Sequence, residues 1–144
     1  MRNDWRLFAA VAIGGAAGSV ARFALGSFIQ TRVSGPFPVG TLVINIAGSL
    51  LLGFLMQFGL DTTSISVELR IMLTTGFCGG FTTFSTFSYD TVKLIENGDY
   101  RDAGTYVGAS VILSLLGTML GIRGARKLVA SIRAGGANNA NEEA

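Results

Sequence analysis

The sequence has no histidine, and Cys78 is its single cysteine. The first absence removes imidazole general acid–base catalysis, histidine-assisted nucleophiles and histidine metal sites together. A lone thiol forms no internal disulfide, so cysteine usage says nothing about compartment. Charge is also scarce: Asp, Glu, Lys and Arg make up 14% of the chain, against about 25% in soluble domains. The net charge of +2 is small, and the basic residues lack the clustering of a phosphate-tracking surface, which argues against nucleic acid as a partner. Hydrophobic residues fill 49% of the sequence, and the mean hydropathy is +0.51. With 144 residues, the chain suits one domain.

That apolar content is gathered into four stretches, Leu7–Ile29, Pro38–Leu60, Ile71–Tyr89 and Ala103–Ile122. Each is about 20 residues long, the length a helix needs to cross a hydrocarbon core of about 30 Å. The connections "QTRVSGPFP", "DTTSISVELR" and "KLIENGDYRD" are short and carry breakers or charges. Arg2 and Arg6 precede the first stretch as in a signal peptide, but the apolar run continues well past a typical h-region. The pattern predicts an all-α membrane protein with four spans in residues 1–124 and both termini on one side. Residues 125–144, ending "SIRAGGANNANEEA", are expected to be a polar, disordered tail. Arg2, Arg6, Arg70, Arg123, Arg126, Lys127 and Arg133 fall on the terminal side, against Arg32, Lys93 and Arg101 on the other. The excess favours cytoplasmic termini. It rests on the basic residues after the last span, without which the two sides balance.

The polar residues inside the spans are the informative ones. Gly14, Gly18, Arg22 and Gly26 recur every fourth residue and share one face of the first span. Glycines so spaced let two helices approach closely. A guanidinium within an apolar segment costs at least ~2.5 kcal/mol, so Arg22 either snorkels to the interface or lines a water-filled vestibule that attracts anions. The second span carries Thr41, Asn45, Ser49, Gly53 and Gln57 at the same spacing, and the fourth carries Tyr106, Ser110, Ser114 and Thr118. Asn45 either fixes packing through a hydrogen bond between helices or lines a passage. No carboxylate lies mid-span; Asp90 stands only at the end of the third. Neutral donors without carboxylates suit an anion, whereas carboxylate rings suit a cation.

The third span contains "GFCGGFTTFSTFSYD", residues 76–90. Gly79–Gly80 followed by Thr82–Thr83 is a poor helix interior. A break there frees backbone groups that are tolerated only within protein or beside a polar cavity, where they can bind ions. Beyond it, Phe84 and Phe87 alternate with the hydroxyls of Ser85, Thr86 and Ser88. Phenyl edges carry partial positive charge and can touch a small anion without trapping it. The competing reading is a glycine-rich packing kink with phenylalanines facing lipid.

"GFCGGFTTFSTFS" resembles the signature of the Fluc (CrcB) family of fluoride channels. "GGAAGSVARF" at Gly14–Phe23, "GTLVINIAGSLLLG" at Gly40–Gly53 and "YVGASVILSLLG" at Tyr106–Gly117 agree with it. The resemblance implies an antiparallel, dual-topology homodimer of four-helix chains in a bacterial inner membrane. It further implies passive export of fluoride through two pores per dimer. By motif match, Asn45, Phe84 and Phe87 would line each pore, with Thr41, Ser85 and Thr86 as nearby hydroxyls. Tyr106, Ser110 and Ser114 would form a polar track on the fourth span. The carbonyls of Gly79 and Thr82, from both subunits, would hold a structural Na⁺ at the dimer interface, and Arg22 would line a vestibule. The competing classes are a small multidrug or cation transporter, which needs a central carboxylate, and a structural membrane protein whose stripes serve assembly only. An enzyme is disfavoured, because Ser85 has no histidine or mid-span lysine to act as its base.

Overall fold

The structure, a computed structural model, describes residues 4–62 and 65–142. It is all-helical among those residues: α1 (Asp4–Gln30), α2 (Val39–Asp61), α3 (Val67–Ile71), a π-helix (Met72–Cys78), α4 (Gly79–Phe81), α5 (Phe84–Glu96) and α6 (Tyr100–Glu142). Helices α1, α2 and α6 are each long and apolar enough to cross a membrane. The third apolar stretch is helical only in pieces. Ser66 caps the start of α3 by accepting from the Leu69 amide, and the chain becomes extended at Thr82 and Thr83, each with positive ψ. The break predicted from the glycines and threonines therefore falls at the threonines. Gly79 and Gly80 themselves stay helical.

Contacts along α2 set the directions of its neighbours. Arg70 lies beside Gly59, Thr82 beside Gly48, Thr83 beside Asn45 and Asp90 beside Thr41. The broken segment thus runs antiparallel to α2 over roughly 27 Å, at ~1.5 Å per residue of α2. Helix α6 runs parallel to α2: Thr118 donates to the Ser49 carbonyl, Arg126 to Gln57 and Arg133 to the Asp61 carbonyl. The α1–α2 turn contains Gly35 at φ 108°. It is tied by the Gln30 amide, which donates to the Phe37 carbonyl and accepts from Gly40 N.

The glycine stripe of α1 does what its spacing predicts. A Cβ on Gly14 would collide with the Met72 carbonyl, and one on Gly18 with the Phe77 carbonyl, so α1 and the broken segment touch backbone to backbone. At the other end, Leu94, Ala103 and Tyr106 form a buried cluster on which Phe37, Leu42 and Phe87 pack. Large apolar side chains elsewhere face outward, among them Phe8, Phe23, Phe84 and Leu115. A monomer in water does not leave so much apolar surface uncovered.

The structure departs from the sequence reading at its C-terminus. The fourth span was expected to end near Ile122 and residues 125–144 to be disordered, but the helical backbone of α6 continues to Glu142. Ala125 and Val129 are buried, and Arg126 and Arg133 bond the end of α2. Tertiary contact thus supports a stretch whose alanine, arginine and lysine content already favours helix.

Candidate functional site

Everything at the site depends on how the break is held. The Asn45 side chain donates to the Thr83 carbonyl at 3.1 Å and accepts from the Thr83 amide at 2.8 Å. One primary amide therefore pairs both backbone groups of a residue that has left the helix. The Thr83 hydroxyl caps α5 by accepting from Thr86 N at 3.1 Å, and it also meets the hydroxyls of Thr86 and Ser85 at 3.0 and 3.2 Å. Upstream, the Thr82 hydroxyl and amide both turn back to the Cys78 carbonyl at 2.9 Å. In a continuous helix the amides of Thr83 and Thr86 would bond the carbonyls of Gly79 and Thr82. Here they bond Asn45 and the Thr83 hydroxyl instead.

Two cavities meet at Thr83, which lines both. The first, of about 370 Å³, brings together Asn45, Thr82, Phe84, Phe87, Ser110 and Ser114 with Ser49 and apolar neighbours. Phe84 and Phe87 stand 5.5 Å apart, centroid to centroid, with their rings inclined at 42°. Phe84 is 78% exposed, so one wall of this cavity is open in the single chain. The Ser110 hydroxyl is buried and has no hydrogen-bond partner among the described residues. Buried hydroxyls are normally paired, so Ser110 offers a free donor to whatever enters.

The second cavity, of about 570 Å³, is lined by Arg22, Gln30, Thr41, Thr86 and Asp90 among others. Arg22 is thus among the residues that line this cavity. The Thr41 hydroxyl donates to Asp90 at 3.0 Å, and the Tyr106 hydroxyl donates to the same carboxylate oxygen at 3.4 Å. Tyr106 is fully buried, with Phe37 at 5.7 Å and Phe87 at 5.2 Å. It braces Phe87 from behind and lines neither cavity.

Most of the expected residues therefore converge, in two groups. Asn45, Phe84, Phe87, Ser110 and Ser114 share the first cavity, while Arg22, Thr41 and Thr86 share the second. Ser85 is exposed and lines neither. Gly79 is exposed, with open space where a Cβ would stand. Sequence reasoning missed Thr83 and Asp90. A threonine three residues before the Thr86 hydroxyl, at a helix start, is a legible capping signal. Asp90 was seen only as the end of a span; its partners Thr41 and Tyr106 come from other helices, which no local pattern reveals.

Helices of this length, with polar side chains and a helix break gathered around internal cavities, define a multi-pass membrane protein. A family model described as "CrcB-like protein, Camphor Resistance (CrcB)" matches residues 9–122. The chain is 50% identical over 119 residues to the "Fluoride-specific ion channel FluC" of Geobacter sulfurreducens, covering 83% of this chain and 96% of that protein. It is also 50% identical over 119 residues to the protein of that name from Geobacter metallireducens, with the same coverage. A third relative of that name, from Dehalococcoides mccartyi, is 45% identical over 111 residues, 77% of this chain and 85% of its own length. The chain belongs to the CrcB family.

Proposed function

We propose that this chain is a fluoride channel that lets the ion leave the cell passively, down its gradient. The observation that carries the reading is the break at Thr82–Thr83, pinned by Asn45. It sets Phe84, Phe87 and the unpaired Ser110 hydroxyl around one cavity. The names borne by the relatives support the same ion. Fluoride is small and strongly hydrated, so it enters a narrow passage only where donors replace its water. Ser110 supplies a neutral donor, and the phenyl edges supply weak positive contacts. Arg22 raises the local concentration of anions in the second cavity without standing in the first.

The broken segment is the third of four crossings, since it spans the height between Gly59 and Thr41 of α2. Two chains pair antiparallel, and the partner covers the open wall beside Phe84, giving one pathway on each side of the dimer. The donor set at the break fits a sodium ion. The carbonyls of Gly79 and Thr82 have lost their usual helical donors to Asn45 and the Thr83 hydroxyl, and neutral hard oxygens suit a small hard cation. One chain brings only two such oxygens, so the ion would tie two copies together. The transporter alternative lacks its central carboxylate. Asp90 lies near the start of α2, hydrogen-bonded to Thr41 and Tyr106.

The test is the purified protein in liposomes, read with a fluoride electrode. Electrogenic fluoride efflux, no chloride efflux, and loss of flux in Phe84→Ile are the expected results. Absence of fluoride flux under any gradient would end the reading.

A further inference from the structure

The end of the protomer where α2 stops carries five cations, Arg70, Arg123, Arg126, Lys127 and Arg133, against the carboxylates of Asp61 and Glu68. Arg70 donates to the Gly59 carbonyl at 3.3 Å, Arg126 to the Gln57 side chain at 3.4 Å and Arg133 to the Asp61 carbonyl at 2.7 Å. Each of these acceptors is neutral, and a guanidinium has five N–H donors to satisfy. Arg123 and Lys127, one helical turn apart on α6, are exposed. Among the described residues the one ion pair is Lys93–Glu96, within α5, so none of these five cations forms an ion pair there. Their depth is set by α2: Gly124 abuts the Phe54 ring, and Arg133 reaches the last residue of the helix. Leu120 and Leu116, three and seven residues before Arg123 and so on the same face of α6, are exposed apolar side chains.

Cations without a carboxylate partner at the head of a run of exposed apolar groups on one helix face suit neither bulk water nor hydrocarbon. They suit the boundary between them. We infer that this face, centred on Arg123 and Lys127, docks anionic phospholipid headgroups, the phosphodiester meeting the cations while the acyl chains run back over Leu120 and Leu116. A free phosphate or a polyanion in solution would use the cations alone and gain nothing from the apolar groups, which is why lipid is the occupant the surface fits. Attraction between a basic side chain and an anionic membrane surface corresponds to about a fivefold change in affinity per charge.

The test is native mass spectrometry of the full chain in neutral detergent, given equal amounts of phosphatidylglycerol and phosphatidylcholine. Phosphatidylglycerol should be retained preferentially. The double variant Arg123→Gln, Lys127→Gln should lose about 25-fold in affinity for it, at ~1 kcal/mol per charge. The charge-keeping double variant Arg123→Lys, Lys127→Arg should keep it, with circular dichroism verifying that both variants are folded. Equal retention of the two lipids would overturn the inference, as would wild-type retention by the glutamine variant. Displacement of bound lipid by millimolar inorganic phosphate would overturn it too, since the site would then be a simple anion site. Fluoride flux is read separately and tests the channel proposal alone.

Discussion

Replacing Asn45 by alanine removes both hydrogen bonds that hold Thr83 outside the helix. Thr83 is only 8% exposed, so water offsets little of the loss. Each buried polar group left unpaired costs about 1–3 kcal/mol, which puts the substitution at about 2–6 kcal/mol. That is a large share of the ~5–15 kcal/mol by which folded domains are stable. At about 2–4 °C per kcal/mol for chains near this size, the melting temperature in detergent should fall by roughly 5–20 °C. Asn45→Asp separates stability from conduction. It retains an acceptor for the Thr83 amide but sets a second oxygen against the Thr83 carbonyl and places negative charge beside the first cavity. Its melting temperature should fall less than that of the alanine variant, while fluoride efflux from liposomes should vanish. An alanine variant that melts within about 1 °C of wild type and conducts normally would refute the claim that Asn45 holds the break.

Gly18→Ala forces a Cβ into the Phe77 carbonyl, and overpacking of this kind costs about 1–3 kcal/mol; its monodisperse yield should drop, whereas Gly104→Ala, with nothing within 4 Å, should match or exceed wild type. Thr83→Val deletes the cap of α5 and should cost about 1 kcal/mol, read as a lower melting temperature that Thr83→Ser restores. Replacing Na⁺ by a large organic cation should weaken the dimer, measured as monomer released on size-exclusion chromatography; a dimer unchanged after long incubation would count against the sodium site.

Local pattern made much of this legible. The run from Gly76 to Asp90 showed that the third apolar stretch could not stay a regular helix, because threonine pairs and glycines weaken a helix wherever they occur. The spacing of Gly14 and Gly18 marked the face that meets the broken segment, since residues four apart share one side of a helix. The continuation of α6 beyond Ile122 was not legible. Glycine and asparagine in the tail read as polar and weakly structured, and the contacts that support its first turns, to Gln57 and Asp61, come from residues about 70 positions away.

Composition and periodicity by themselves determined that this chain is helical, lipid-embedded and built around neutral donors, because those properties are sums over residues or repeats along one helix. The tertiary structure alone decided what each donor does. It spends the Asn45 amide on Thr83 and ties the hydroxyls of Thr41 and Tyr106 to Asp90, while leaving the Ser110 hydroxyl unpaired. A hydrogen bond between helices depends on two positions being brought within about 3 Å, and that distance is a property of the packing.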